Sequence, residues 1–449
     1  MTNDYGLSFT STYIALGLDP SNTFQRASFL SLLTICFLNQ IEKNKHAGFI
    51  SEILNKGDIS ESHLSAFNFN SSEQALVFQA LQLKSTERLG TALSSIISLL
   101  KEPEFTGLSR TQFITIYEQT LKRLLEPFKK FREAKTYDYE LRPDDFSRFI
   151  SAISRKGKVS AYDALGSTGE LSNYLAPINP HWQYTIESFV QNSEYLIHKF
   201  ILSGCDNARV HRGYALSSTP AIEEGSFDLA YSLFEPKTIT KLDSKGNKSL
   251  ALKGKFDPQR INADIVPSKY LEHALIQHLL WSINDDGVAI AFVGKGPLQR
   301  QEEKEARKFL LENNYVDAVV QLPPSLISAK AVDLFALILR KNRTMNDVLF
   351  VNASDFYERD TKRNRLINEQ KIAEILNKRQ DTVGISKLAS VKAIISDGSL
   401  LNVTSYVQPI KPISNSESID QLSRELIEQH KLTNALFNEL KNRNLLKNS

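Results

Sequence analysis

Two closely spaced glycines follow a short apolar stretch and mark the segment of this chain best suited to binding a cofactor. They belong to the run Asp163-Ala164-Leu165-Gly166-Ser167-Thr168-Gly169. In an open α/β sheet, ligands bind beyond the carboxyl ends of the strands, and glycine lets the backbone approach a ligand without a side-chain clash. The run therefore predicts a cofactor loop, although a glycine pair also occurs in strand-to-helix turns that serve packing alone.

A cluster of basic side chains indicates a second surface suited to binding, in this case of phosphates. Between Glu235 and Arg260 the chain is rich in lysine, with few acidic residues and interspersed glycines. The lysines are Lys237, Lys241, Lys245, Lys248, Lys253 and Lys255. Such side chains neutralise nucleic-acid phosphates, but the same composition suits a solvated surface insertion. Both interpretations stay open at the level of the sequence.

The composition indicates a cytoplasmic protein with two or three domains. The chain has 449 residues, 41% of them apolar, which is enough for a full core. No apolar run approaches the roughly 20 residues of a membrane span, and the N-terminus lacks the layout of a signal peptide. The net charge of +3 does not by itself indicate a nucleic-acid partner. Cys36 and Cys205 lack metal-like spacing, so we expect buried free thiols, with no metal site and no disulfide.

The elements that position these segments begin with a helical N-terminal domain. From Asn22 to about Phe131 the apolar residues recur at helical spacing. Ser21 and Ser109 each precede such a run and are predicted N-caps. We therefore predict a helical domain over residues 1–135.

After Pro143 short apolar strands alternate with amphipathic helices, a pattern typical of a parallel α/β sheet. We assign residues 136–407 to this α/β domain. The predicted strands are Lys158–Asp163, Trp182–Phe189, Ala208–Gly213, Phe227–Ser232, Gly287–Val293, Val316–Leu322, Leu334–Arg340 and Asp347–Asn352. The clearest helices between them are Ser193–Leu202, Tyr270–Ile283 and Gln301–Asn313.

The last 42 residues, 408–449, are predicted to form a linker and a single helix. A polar stretch leads into Ile419–Leu446, which carries a narrow apolar stripe of Ile419, Leu422, Leu426, Leu436 and Leu440. A stripe of this width is typical of a helix that pairs with another helix. We expect a partner helix, and packing back onto the same chain is the alternative.

The order of these segments resembles the modification subunit of type I restriction-modification systems, in the N6-adenine DNA methylase family that uses S-adenosylmethionine. The landmarks that carry the resemblance are Ala161-Tyr162-Asp163 with Ser167-Thr168-Gly169, Phe227-Asp228-Leu229, Glu272 to His278, Val319 to Pro324 and Leu349 to Ser354. The resemblance implies a Rossmann-like S-adenosylmethionine-dependent methyltransferase fold. It also implies DNA and specificity or other restriction-modification or defence subunits as partners, the latter through the C-terminal helix.

The same resemblance implies which residues hold the cofactor. They are Asp163, Gly166, Ser167, Thr168 and Gly169 in the loop, and Glu187 at the position that takes the ribose hydroxyls. The alternative for Glu187 is a solvated loop glutamate. Glu170 stands where the family has a glycine, and Tyr214 replaces the acid that recognises the adenine amine. Only Pro143 remains of an element that closes the pocket, so we expect weak cofactor binding or none.

The catalytic tetrapeptide of the family is also replaced. Asn or Asp, two prolines and an aromatic residue are expected after the fourth strand, where Leu233, Phe234, Glu235 and Pro236 stand. For a flipped adenine, the first residue accepts hydrogen bonds from the amine and the aromatic ring stacks on the base. Leucine accepts no hydrogen bond. Shifting the register offers Glu235 as an acceptor, but Lys237 and Thr238 then replace the second proline and the ring.

We therefore expect a degenerate member of the family, a pseudoenzyme that serves as a DNA-binding or scaffolding subunit. The main alternative is an active N6-adenine DNA methyltransferase with an atypical site built on Glu235 and Phe234. A third hypothesis is an adaptor that does not contact nucleic acid.

The basic segment yields a prediction that salt titration can test. Neutralising Lys245, Lys248, Lys253 and Lys255 should weaken DNA binding uniformly across sequences. The slope of log affinity against log salt should flatten by about one unit for each phosphate contact removed. Binding isotherms on two unrelated duplexes at several salt concentrations measure both effects. An unchanged slope would leave the segment as solvated surface.

Overall fold

The computed structural model describes residues 6–19, 22–42, 45–56, 77, 80–81, 88–125, 144–165, 170–188, 193–205, 207–212, 215–216, 221–233, 256–267, 270–326, 333–359, 364–408, 426–431 and 433–435. The chain forms two compact units, Met1–Val407 and Gln408–Ser449. The predicted boundary inside the first unit, between a helical and an α/β domain near residue 135, stays a prediction.

The described residues before Asp144 include five helices of ten residues or more. They are α1 (Gly6–Ala15), α2 (Thr23–Ile41), α3 (Ala47–Lys56), α4 (Leu89–Leu100) and α5 (Arg110–Leu125). Their core is rich in aromatic rings, and Phe9 makes edge-on contacts with Phe37 and Phe105 at centroid distances of 5.5 and 5.3 Å. Such pairs stabilise a core beyond the area that they bury.

One predicted N-cap of these helices is confirmed and the other is corrected. The Gln112 backbone N–H donates to Ser109 Oγ at 3.3 Å, and the Gln112 side chain accepts from the Ser109 backbone N–H at 2.8 Å. This reciprocal pair is a capping box. At α2 the cap is Asn22 rather than Ser21, because the Asn22 side chain accepts from the Gln25 backbone N–H at 3.1 Å.

The centre of the first unit is a nine-stranded sheet. Its strands are β1 (Ser160–Asp163), β2 (Gln183–Ser188), β3 (Ala208–Arg212), β4 (Phe227–Leu233), β5 (Ile283–Gly294), β6 (Val316–Gln321), β7 (Leu334–Leu339), β8 (Asp347–Asn352) and β11 (Ser386–Ser390), in the order β11-β8-β6-β7-β5-β4-β1-β2-β3. A separate antiparallel hairpin joins β9 (Tyr357–Arg359) and β10 (Asn364–Leu366). All eight predicted strands are present, and their bounds move by a few residues at most.

The prediction of a parallel sheet is wrong at one predicted strand, because β7 runs antiparallel to both β5 and β6. The strand β11, which the sequence analysis did not predict, runs antiparallel to β8. The reason is physical: Leu334–Leu339 is buried on both faces, so it reads as a continuous apolar run whatever its direction. The apolar pattern identifies a central strand without identifying its orientation.

Helices cover both faces of the sheet. They are α6 (Asp144–Ile153), α7 (Glu170–Ile178), α8 (Ser193–Ser203), α9 (Glu272–Ser282), α10 (Gly296–Gln299), α11 (Lys304–Glu312), α12 (Glu369–Lys378) and α13 (Val391–Ser396). The helices α6, α7, α8 and α12 pack on one face, and α9, α10, α11 and α13 pack on the other. The result is a three-layer, doubly wound α/β architecture, as expected.

A buried histidine joins the N-terminal helices to the sheet region. His198 on α8 contacts Ser31 Oγ of α2 through Nε2 at 3.0 Å and Tyr117 OH of α5 through Nδ1 at 2.6 Å. Next to it, the buried Lys199 forms an ion pair with Glu118 at 2.7 Å. Burial lowers the pKa of His198 to about 3, so the imidazole is neutral in the folded protein.

The described part of the second unit is helical. Its residues 426–431 and 433–435 are all exposed, including Leu426 and Ile427. The rest of the predicted helix Ile419–Leu446 lies outside the described residues. Cys36 and Cys205 are buried free thiols, as predicted. Among the described helices, none combines the length and apolar content that a membrane span requires.

The buried His198 predicts acid sensitivity of the fold. Its folded pKa of about 3 lies below the value of an unfolded histidine, so only the unfolded chain takes up the proton. The free energy of unfolding therefore decreases as the pH falls below about 6.5. Protonation of His198 in the unfolded chain contributes up to about 1.4 kcal/mol per pH unit to this decrease. His198→Gln should show a shallower slope of unfolding free energy between about pH 6 and pH 4. A His198→Gln variant with the same slope as the wild type would contradict the assignment.

Candidate functional site

The carboxyl ends of three adjacent strands form the edge at which a doubly wound sheet binds its ligand. β1 lies between β2 and β4 and runs parallel to both. β1 ends at Asp163, β2 carries Glu187 as its penultimate residue, and β4 ends at Leu233. The chain winds away from β1 in opposite directions on its two sides, so this edge is the topological switch point of the sheet.

The Asp163 carboxylate is held inside the protein. The side chain is 2% exposed, and its Oδ2 accepts a hydrogen bond from Ser172 Oγ at 2.8 Å. Ser172 Oγ also lies 2.7 Å from the Tyr231 hydroxyl on β4. Burial raises the pKa of Asp163 to about 7, while the hydrogen bonds from Ser172 and the Leu165 backbone N–H oppose the rise. Asp163 therefore ties β1 to the first turn of α7.

The Glu187 carboxylate is held in the same way by different partners. It is 2% exposed, and its Oε2 accepts a very short hydrogen bond from the Tyr162 hydroxyl. Burial raises the pKa of Glu187, and Tyr162, Arg260 and the Ala221 backbone N–H lower it. Glu187 is therefore not a solvated loop residue, since its side chain is buried and bonded.

Behind Tyr162 the contacts continue to a buried arginine. The Tyr162 hydroxyl lies 2.8 Å from His278 Nε2, and Arg260 Nη1 lies 3.4 Å from His278 Nδ1. Burial lowers the pKa of His278 to about 3, so this imidazole is neutral. Arg260 also donates to the Ala215 carbonyl at 2.9 Å and lies over the Trp281 ring.

The two carboxylates lie on opposite faces of the sheet. Asp163 pairs with Ile186 of β2, so Glu187 is one residue out of phase with it, and side chains alternate along a strand. Asp163 faces α7, whereas Glu187 lies on the side of α9 through its partners Tyr162 and His278. The structure therefore brings the two predicted cofactor residues to one edge but directs them to different partners.

At the end of β4, Leu233 is half-buried and paired with Phe292 of β5. Leu233 is the last residue of the strand, and its place as the first residue of the tetrapeptide stays a prediction. The other predicted site residues lie outside the described residues: Gly166, Ser167, Thr168 and Gly169, then Phe234, Glu235 and Pro236, and the six lysines from Lys237 to Lys255.

Sequence reasoning missed the roles of Ser172, Tyr231, Tyr162, His278 and Arg260. Tyr162 and His278 were noted only as landmarks of a resemblance. Their polar groups are separated from their partners by 18 to 116 residues, so local spacing carries no signal for the contacts. A usable signal is the presence of two histidines, His273 and His278, beside the apolar residues of α9, since a buried imidazole requires a partner.

Comparison with known proteins identifies the relatives of this chain. A family model described as "N-6 DNA Methylase" matches residues 243–414. The type I restriction enzyme MpnII methylase subunit of Mycoplasma pneumoniae is 31% identical over 147 residues, which are 32% of this chain and 27% of that protein. The chain thus spans about a quarter of the length of that curated relative.

Solved structures extend the similarity to almost the whole chain at the level of the fold. The methyltransferase subunit of a type I restriction-modification system from Streptococcus thermophilus has a TM-score of 0.60 at 17% identity, with 90% of this chain and 99% of that chain covered. A structure described as showing complex assembly and conformational transition of the type I system has a TM-score of 0.51 at 14% identity, with 95% of each chain covered. The α/β fold is therefore that of the S-adenosylmethionine-dependent methyltransferases.

The raised pKa of Asp163 predicts a stability effect with a defined sign. Its folded pKa of about 7 exceeds the ordinary value of 3.8. The contribution of Asp163 to the stability of the fold is therefore complete below about pH 4 and is lost as the pH rises through 7. Asp163→Asn, which keeps an oxygen acceptor for Ser172, should gain about 1 kcal/mol or more relative to wild type between pH 4 and pH 8. Denaturant unfolding at both pH values measures the difference.

Asp228 provides the matched control with the opposite sign. Burial raises the pKa of Asp228, but hydrogen bonds from Ser160 and Asn284 and the charge of Arg155 lower it overall. Asp228→Asn should therefore lose stability relative to wild type as the pH rises from 3 to 6. If both variants respond to pH in the same direction, the assignment for Asp163 is wrong.

Proposed function

Because this chain belongs to the N-6 DNA methylase family, we propose that it is a modification-subunit-like protein of a type I restriction-modification or related defence system. Within that role we propose a catalytically degenerate subunit that binds DNA or organises its partners. The observation that carries this proposal concerns the residues at the switch point of the sheet, where β1, β2 and β4 end. Its described carboxylates, Asp163 and Glu187, are both bound to side chains of the protein, and Leu233 ends β4.

The residue at the end of β4 supports the loss of catalysis. Transfer of a methyl group to adenine requires the exocyclic amine to be oriented by hydrogen-bond acceptors. Leu233 has no acceptor, and Ser232 before it is fully buried. Removing a single group that stabilises a transition state typically costs about 10²–10³ in rate. An atypical site built on Glu235 and Phe234 is the alternative, and both residues lie outside the described part of the chain.

The described state of Glu187 supports weak binding of a ribose. A carboxylate that takes two ribose hydroxyls must present its oxygens to the ligand. Glu187 is instead buried, and its Oε2 accepts from Tyr162, although its Oε1 has no hydrogen-bond partner among the described residues. S-adenosylmethionine stays the cofactor that family resemblance implies, and we propose that this chain binds it weakly or not at all.

Two features support the proposed partners. The lysines between Lys237 and Lys255 suit contact with DNA phosphates. The C-terminal helix is exposed at each of its described residues, and Leu426 and Ile427 are apolar. An exposed helix with apolar side chains gains stability by pairing with another helix. We propose that it docks on a specificity subunit or on another subunit of the system.

The proposed function predicts no adenine methylation by this chain alone. Tritium transfer from labelled S-adenosylmethionine to varied duplex DNA should stay at background, with and without a specificity subunit. A modification subunit with an intact tetrapeptide serves as the positive control. Transfer that Glu235→Ala abolishes would overturn the degenerate assignment and identify Glu235 as the acceptor for the amine.

A further inference from the structure

An exposed lysine lies beyond the central strands at the carboxyl edge of the sheet. β5 ends at Gly294, and Lys295 follows it directly in the turn Gly294–Arg300, which we call the β5 turn. β5 runs parallel to β4, and its Phe292 pairs with Leu233, the last residue of β4. Lys295 therefore lies at the edge where β4 ends, which is the side of a doubly wound sheet that binds ligands.

The charge of Lys295 is not neutralised by any residue that the structure describes. Its side chain is exposed, and its ammonium group makes neither an ion pair nor a hydrogen bond with a described residue. The second cation of the β5 turn differs, because Arg300 pairs with Glu272 and Glu303 at 3.3 and 2.8 Å. The turn therefore exposes one positive charge to solvent and neutralises the other with carboxylates of the protein.

The backbone of the β5 turn is bonded to three other segments. The Pro297 carbonyl accepts from His273 Nε2 at 3.1 Å and from Arg307 Nη1 at 3.3 Å. The Leu298 carbonyl accepts from the Leu401 backbone N–H at 2.9 Å. These donors belong to α9, to α11 and to the chain after α13. A shift of the turn would therefore break bonds to all three segments.

Within the β5 turn, the Arg300 side chain packs directly on the backbone of Gly296. The guanidinium lies over the Tyr270 ring at 3.9 Å, and its two ion pairs fix its orientation. A Cβ at Gly296 would come within 1.9 Å of Arg300 Nη2. Glycine at this position therefore makes room for the guanidinium, and a larger residue would displace it.

The support of the β5 turn uses charged groups that are costly to bury. Glu303 and Arg307 are both completely buried. Burial raises the pKa of Glu303 to about 7 and lowers the pKa of Arg307, because both groups lose hydration. Apolar residues of similar volume often stabilise a fold as well as buried charges do. The charged support therefore indicates that the position of the turn matters for more than stability.

We propose that Lys295 contacts a phosphate of duplex DNA, and that the β5 turn is the rigid support that presents it. This rests on the proposed function, in which the chain binds DNA. The lysine-rich segment from Lys237 to Lys255 follows Leu233 in the sequence, and Leu233 lies beside the β5 turn. Lys295 adds a positive charge at this place on a backbone that is already ordered, so less freedom is lost on binding. A lysine–phosphate contact adds affinity without sequence preference.

Lys295→Gln in the full-length protein tests the contact, because an exposed side chain can change without disturbing the core. On two unrelated DNA duplexes, the slope of log affinity against log salt should flatten by about 0.9. The loss of affinity between about 50 and 200 mM salt should then be about threefold smaller than for the wild type. Lys295→Arg should keep the wild-type slope. The matched control is Lys158→Gln, an exposed lysine at the amino end of β1, which should also keep it.

Gly296→Ala tests the support, because the added Cβ displaces the Arg300 guanidinium. In this background, Lys295→Gln should reduce DNA affinity less than it does in the wild type, since a displaced ammonium group contributes less to binding. If Lys295→Gln costs the same affinity in both backgrounds, the β5 turn does not position Lys295, and that part of the inference is wrong.

The failure of this inference is distinguishable from the failure of the proposed function. A Lys295→Gln variant with the wild-type salt slope would overturn the phosphate contact alone, because the protein would still bind DNA. A change in affinity for S-adenosylmethionine without a change for DNA would also overturn it, by assigning Lys295 to the carboxylate of the cofactor. A wild-type protein that binds neither duplex would overturn the DNA-binding function and this inference with it.

Discussion

The burial of charged groups at the carboxyl edge of the sheet is the constraint on which this structure depends. A carboxylate removed from water requires hydrogen bonds or an opposite charge to compensate for lost hydration. Asp163 receives them from Ser172, and Glu187 receives them from Tyr162, with Arg260 at the far end of the contacts behind Tyr162. These bonds fix the positions of the helices α7 and α9 relative to the sheet.

The opposite end of the sheet shows the same principle in a purely structural setting. Asp317 near the start of β6 accepts from Arg343 and Arg379 at 3.2 and 2.8 Å, and Arg379 also bonds to Asp347 at the start of β8. This network packs α12 against the amino ends of two strands.

The N-terminal helices depend on the sheet through α8. Arg110 of α5 donates to the Leu202 carbonyl at 3.1 Å and to Glu42 at 2.9 Å, and His198 contacts both α2 and α5. Tyr195, Ile201 and Leu202 of α8 also share the aromatic core of the helical region. The helix α8 therefore belongs to two packing layers. A change in its position would alter the packing of both the helical region and β3.

The sequence by itself determined the strands, because each central strand is an apolar run of four to eight residues between turn signals, as at Asp347–Asn352. It also placed Leu233, which has no acceptor, directly after the predicted strand Phe227–Ser232, and the structure extends β4 by one residue to include it. Tertiary structure decided the reversed direction of β7 and the burial of Glu187. Tyr162 and His278 lie 116 positions apart, and only the folding of α9 onto β1 brings their polar atoms to 2.8 Å. Such contacts depend on packing across layers, which local periodicity does not encode.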